Sequence, residues 1–118
     1  MDSLLKAEYN YNKANEIHKD KRQPHISGRY KLGLGMIFLR QNNEKLGLKY
    51  ISEAKNDFIK FSNHSNIIKG TLAISEFYFK NENYKKAIYY ADSAFTYAKQ
   101  YMFIPEMVSS SSILHKSY

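Results

Sequence analysis

The residues able to do chemistry in this chain are few, and they do not converge. Four histidines, His18, His25, His64 and His115, fall on separate segments. No His-x-x-x-His or Glu-x-x-His pair sets two metal ligands on one helix face. The run Ser109-Ser110-Ser111-Ser112 offers hydroxyls with no evident base or oxyanion partner, the pattern of a solvated helix face. Gly33 and Gly35 stand in Gly-Leu-Gly-Met, but no strand precedes them and no Gly-Lys-Ser follows. A phosphate loop is thereby excluded, and close packing is the expectation for both glycines. With no cysteine among 118 residues, disulfides and thiolate metal sites are excluded too. No catalytic residue, metal or cofactor is expected, and the chain does not read as an enzyme.

What remains is charge. Eighteen Lys and Arg stand against 11 Asp and Glu, a formal net charge of +7. Such an excess can steer an acidic partner, nucleic acid included. Against nucleic acid, the lysines are scattered and many alternate with Glu or Asp. No run approaches the ~18 apolar residues of a membrane span, and the start, MDSLLKAEYN, lacks the apolar centre of a signal peptide. The missing cysteines fit a reducing compartment, although a periplasmic sensor domain would also accommodate this composition.

The elements that must position these charges are helices. Apolar residues recur at three- and four-residue spacing, and only two Pro and five Gly interrupt the chain. The spacing predicts helices over residues 3–19, 26–40, 44–61, 66–80, 84–101 and from Pro105 towards Tyr118. Pro24 breaks the first from the second. Gln41-Asn42-Asn43 and Asn81-Glu82-Asn83 form polar turns, and Ser62 to Ser65 offer caps to the fourth helix. Helices joined by about three residues are antiparallel neighbours. The fold class is all-α.

A 40-residue period runs through these helices. Ala7, Gly47 and Ala87 form one series, and Ala14, Ala54 and Ala94 a second. Leu34, Ile74 and Leu114 form a third, and Phe38, Tyr78 and Tyr118 a fourth. Periods of this size mark stacked repeats, which bury apolar faces against their neighbours and bind partners more often than they catalyse.

The stretch from Leu72 to Phe95 resembles a tetratricopeptide repeat. Ile74 and Ser75 take the Leu-small positions, Tyr78 the aromatic, Tyr84 the opening aromatic of the second helix, and Ala87 and Ala94 the paired alanines. Leu34, Gly35, Phe38, Gly47 and Ala54 match one unit earlier. The repeat departs from the common 34-residue spacing by about six residues, roughly one and a half extra helical turns. Phe61 and Tyr101 replace the proline that often closes a unit. Long repeats of this kind resemble those of bacterial regulators and sensor proteins.

The resemblance implies a right-handed α-solenoid of about six helices in antiparallel pairs. Residues 1–23 would be the second helix of a cut repeat, 24–63 and 64–103 full repeats, and 104–118 the first helix of another cut repeat or a polar cap. Leu114 and Tyr118 keep the register, which favours the cut array. Leu4, Leu5, Ile113, Leu114 and Tyr118 would then border incomplete faces and promote self-association. It further implies that first helices line a concave face. Its residues would be Arg29, Leu32, Met36, Leu39 and Arg40, then Lys69, Leu72, Glu76, Phe79 and Lys80, with Lys116 beyond. Five cations around one Glu, interleaved with apolar side chains, suit an extended peptide bearing acidic and apolar groups. A clamp for a chaperone's C-terminal carboxylate would need Lys and Asn where Leu32 and Met36 stand, so it is absent. The expected function is a protein–peptide interaction module within a larger bacterial signalling or regulatory protein; the alternative is an RNA-binding helical repeat using the basic groove.

Overall fold

A computed structural model describes residues 24–118 together with Lys6, Tyr9, Asn10 and Lys13. Those four are helical and exposed. The rest of the expected helix over 3–19, with Leu4, Leu5, Ala7 and Ala14, and of the expected unit 1–23 lies outside the described residues. The described residues form five helices and no strand. They are α1 (Pro24–Arg40), α2 (Glu44–Lys60), α3 (His64–Lys80), α4 (Tyr84–Gln100) and α5 (Ile104–Ser117).

Pro24 opens α1 instead of ending the loop before it, because the first turn of a helix needs no N–H from its leading residue. Pro105 does the same for α5. Phe61 and Tyr101, expected inside helices, are C-caps. α3 begins at His64, two residues earlier than the spacing predicts, so its turn is as short as the others.

The first four helices are 17 residues each, and every connection is three residues. All four turns share one backbone solution. The middle residue takes a left-handed conformation: Asn42 (φ 61°), Ser62 (52°), Glu82 (62°) and Met102 (59°). The residue after it sends its N–H back to a carbonyl five positions earlier: Asn43 to Phe38 (2.8 Å), Asn63 to Phe58 (2.9 Å), Asn83 to Tyr78 (2.8 Å) and Phe103 to Ala98 (2.9 Å). This is the Schellman closure, which satisfies helix-end carbonyls. The same residue then heads the next helix. Asn43 Oδ1 accepts from the Leu46 N–H and Asn83 Oδ1 from the Lys86 N–H, each at 3.3 Å. The backbone therefore repeats every 20 residues, while the side chains repeat every 40.

The chain divides into two compact units, residues 1–63 and His64–Tyr118. In the first, α1 packs on α2. A Cβ at Gly35 would stand 2.6 Å from Ile51 Cγ1 and 3.0 Å from the Gly47 carbonyl, so the two backbones cross where only hydrogen fits. A Cβ at Gly47 would meet the Leu39 side chain. A Cβ at Gly28 would stand 3.0 Å from the Phe58 ring, a tight but less severe approach. Phe38 stacks on Tyr50 at 5.5 Å, with Leu34 and Leu46 beside them. Lys31 Nζ bridges to Asp57 Oδ2 at 3.1 Å across the pair.

In the second unit, α3 packs on α4, α4 on α5, and α3 also touches α5. Ala87, Ala91, Ala94 and Ala98 form the whole buried stripe of α4. Ser75 Oγ donates to the Ala87 carbonyl at 2.8 Å, which marks another close crossing. Tyr78 stacks on Tyr90 at 5.8 Å. Ile68, Leu72 and Ile113 close the core against the alanines. Two other buried hydroxyls are satisfied inside their own helices, Thr71 on the Ile67 carbonyl (3.1 Å) and Ser110 on that of Glu106 (2.7 Å). Gly35·Gly47 and Ser75·Ala87, like Phe38·Tyr50 and Tyr78·Tyr90, are the same pairs 40 residues apart, so the two hairpins are built alike.

The expectation that both glycines of Gly-Leu-Gly-Met serve close packing holds for Gly35 alone. Gly33 is exposed, and a Cβ there would meet nothing within 4 Å. Two outcomes follow, both read from denaturant melts. Gly33→Ala should gain about 0.5–1 kcal/mol of helix propensity, whereas Gly35→Ala should lose about 1–3 kcal/mol to overpacking. Met102→Gly should gain about 0.5–1 kcal/mol, because it relieves a left-handed residue whose side chain is 72% exposed and loses little packing.

Candidate peptide-binding surface

Helical spacing sets Arg29, Met36 and Arg40 on one stripe of α1, since they are seven and four residues apart. Arg29 and Arg40 are exposed and Met36 is half-buried. Lys69, Glu76 and Lys80 repeat this stripe on α3, and all three are exposed. Lys116 is exposed on α5, at the register position of Glu76. Phe79 is half-buried, its ring packed edge-on against Tyr84 at 5.6 Å. Within the second unit, the contact between α3 and α5 places these cation-bearing helices side by side.

Three of the expected apolar contact residues are corrected. Leu32, Leu39 and Leu72 are 7%, 6% and 8% exposed and belong to the core. The helical period alone does not separate a residue on the edge of the inner face from one on the open face. Met36 and the outer part of Phe79 are what remains of the apolar component.

The cations have a helix-end component as well. Arg40, Lys60 and Lys80 are each the last residue of a helix, where a positive charge complements the partial negative charge of the final carbonyls. Lys60 stands on a second helix of a pair, outside the expected surface. Lys116 also lies in the last turn of its helix, so among the five cations only Arg29 and Lys69 lack a helix-end role.

No family model, curated protein or solved structure matches this chain. The geometry of its own residues therefore carries the functional reading. Among the described residues, no three His, Asp or Glu side chains gather as a metal site, and no helix is long and apolar enough to cross a membrane.

One side-chain cluster was not foreseen. His64, the first residue of α3, stacks on Tyr101 with ring centroids 3.8 Å apart and shares a hydrogen bond with Tyr97, Nδ1 to Oη, at 2.6 Å. The three rings fasten the start of α3 to the end of α4, opposite the connecting turn. They are 33 and 37 residues apart in sequence, and only the 17-residue length of both helices brings them level. Burial raises the Tyr97 phenol above its ordinary value of 10.0, and Tyr101 adds to this through its charge and a hydrogen bond. In the first unit, burial pushes the half-buried Lys55 ammonium of α2 down.

The sign for Tyr97 follows from linkage. Its folded value lies above its unfolded one, so its contribution is complete below the unfolded value and is lost as pH rises through the folded one. Tyr97→Phe should cost about 0.5–1.5 kcal/mol at neutral pH through the lost hydrogen bond. Above about pH 10 the wild type should lose stability more steeply than this variant, which thermal melts in a pH series would measure.

Proposed function

We propose that this chain is a tetratricopeptide-like, right-handed helical array and acts as a protein–peptide interaction module, part of a bacterial signalling or regulatory protein. The architectural reading is supported by the repeated hairpin and by α3 touching α5 as well as α4. In a stacked-repeat protein the first helix of one pair lies against the first helix of the next. The single observation behind the binding reading is the recurrence of one exposed stripe on α1 and α3. Arg29, Met36 and Arg40 return after 40 residues as Lys69, Glu76 and Lys80, all outside the core. Each stripe is a contact surface in its own unit. An extended partner with acidic side chains would meet the cations, and Met36 and Phe79 would cover its apolar groups.

The test separates binding from helix-end electrostatics. An array of acidic and apolar peptides would first supply a ligand for the wild type. Arg40→Glu combined with Lys80→Glu should then weaken that ligand at least tenfold, about 1.4 kcal/mol. Lys60→Glu removes the same helix-end interaction, about 0.3–1 kcal/mol, and should leave binding unchanged. Equal loss of binding in both variants would attribute the effect to folding. Unchanged binding in the double variant would exclude this surface.

A further inference from the structure

We infer that the outward face of α5 is a docking site for an amphipathic helix that runs antiparallel to it and presents small residues at three- and four-residue spacing. The inference concerns a different surface from the charged stripes and stands apart from their reading.

It rests on an interface that occurs twice within the chain and a third time as one half. In α1, the stripe Gly28, Lys31, Gly35 and Phe38 meets α2 at every position, through Phe58, Asp57, Ile51 and Tyr50 in turn. In α3, the same stripe is Ile68, Thr71, Ser75 and Tyr78, all buried. There Ile68 lies against the alanines of α4, Ser75 bonds Ala87, and Tyr78 stacks on Tyr90. Forty residues on, α5 carries Val108, Ser111 and His115 in this register and its C-cap is Tyr118, and every one is exposed. Val108 is 64% and Tyr118 90% exposed, with Ile104 beside them at 55%. The opposite face of α5 is already held, since Ile113 belongs to the core with the alanines of α4.

The occupant's chemistry follows from the two complete copies. Both covering helices bring Gly or Ala to the crossing, at Gly47 with Ala54 and at Ala87 with Ala94. On α5 the crossing position holds His115 where Gly35 and Ser75 stand earlier. A residue this size leaves still less room for a side chain on the partner. The stripe carries no Lys, Arg, Asp or Glu, so the occupant's buried face is uncharged too.

The experiment uses the full chain and a capped, fluorescent peptide of sequence Tyr84–Gln100, the helix that covers the equivalent face of α3. Saturable binding by anisotropy is expected. Val108→Glu and, separately, Tyr118→Glu should each weaken it at least tenfold; both positions are exposed, and circular dichroism would check that helicity is kept. A peptide carrying Ala91→Leu and Ala94→Leu should lose binding to the same extent. No saturable binding overturns the proposal, as does equal binding to both face variants, which would mean exchange with the chain's own α4. Light scattering that shows a dimer abolished by Val108→Glu would also overturn it, by assigning the face to a second copy.

Discussion

The structure depends on how closely two antiparallel helices can approach. At Gly35·Gly47 the backbones leave no space for a methyl group, and at Ser75·Ala87 a hydroxyl reaches a helix carbonyl directly. Close approach trades side-chain volume for continuous backbone contact, so large rings pack towards the ends of each hairpin, on either side of the crossing. There Phe38 stacks on Tyr50 and Tyr78 on Tyr90. The arrangement also explains α4, where alanines alone supply the buried stripe and the tyrosines and lysines are left outside it or at its edge.

The second constraint is turn length. Three residues suffice only when the middle one is left-handed and the third both closes one helix and heads the next. Two of the four left-handed positions, Glu82 and Met102, have side chains with no particular liking for that conformation. They adopt it because the packed helices on either side fix both ends of the turn. Local preference is overridden by tertiary packing.

This contrast marks how far the sequence could be read. The five described helices and the small-residue series were legible, because 3.6-residue periodicity and recurring Gly and Ala register directly in residue type. The 20-residue backbone period was not, since Asn42, Ser62, Glu82 and Met102 share a conformation without sharing chemistry. A fainter signal did exist in Asn43, Asn63 and Asn83, which stand 20 residues apart. On the surface, exposed cations were legible from their position on the stripe, whereas Leu32, Leu39 and Leu72 sit on the boundary of the inner face and were misplaced. The His64–Tyr97–Tyr101 cluster requires the relative level of two helix ends, which no local pattern encodes.

The hairpin construction has a kinetic consequence. Ser75 and Ala87, like Phe38 and Tyr50, are only 12 residues apart, and the His64–Tyr97 bond spans 33. Contacts this local cost little loop-closure entropy, so each hairpin can form on the microsecond to millisecond scale of low-contact-order helical proteins. At synthesis rates of about 5–20 residues per second, α1 and α2 have time to pair before α4 has left the ribosome. The chain can thus fold vectorially, one hairpin at a time, with little unpaired apolar surface exposed at any moment.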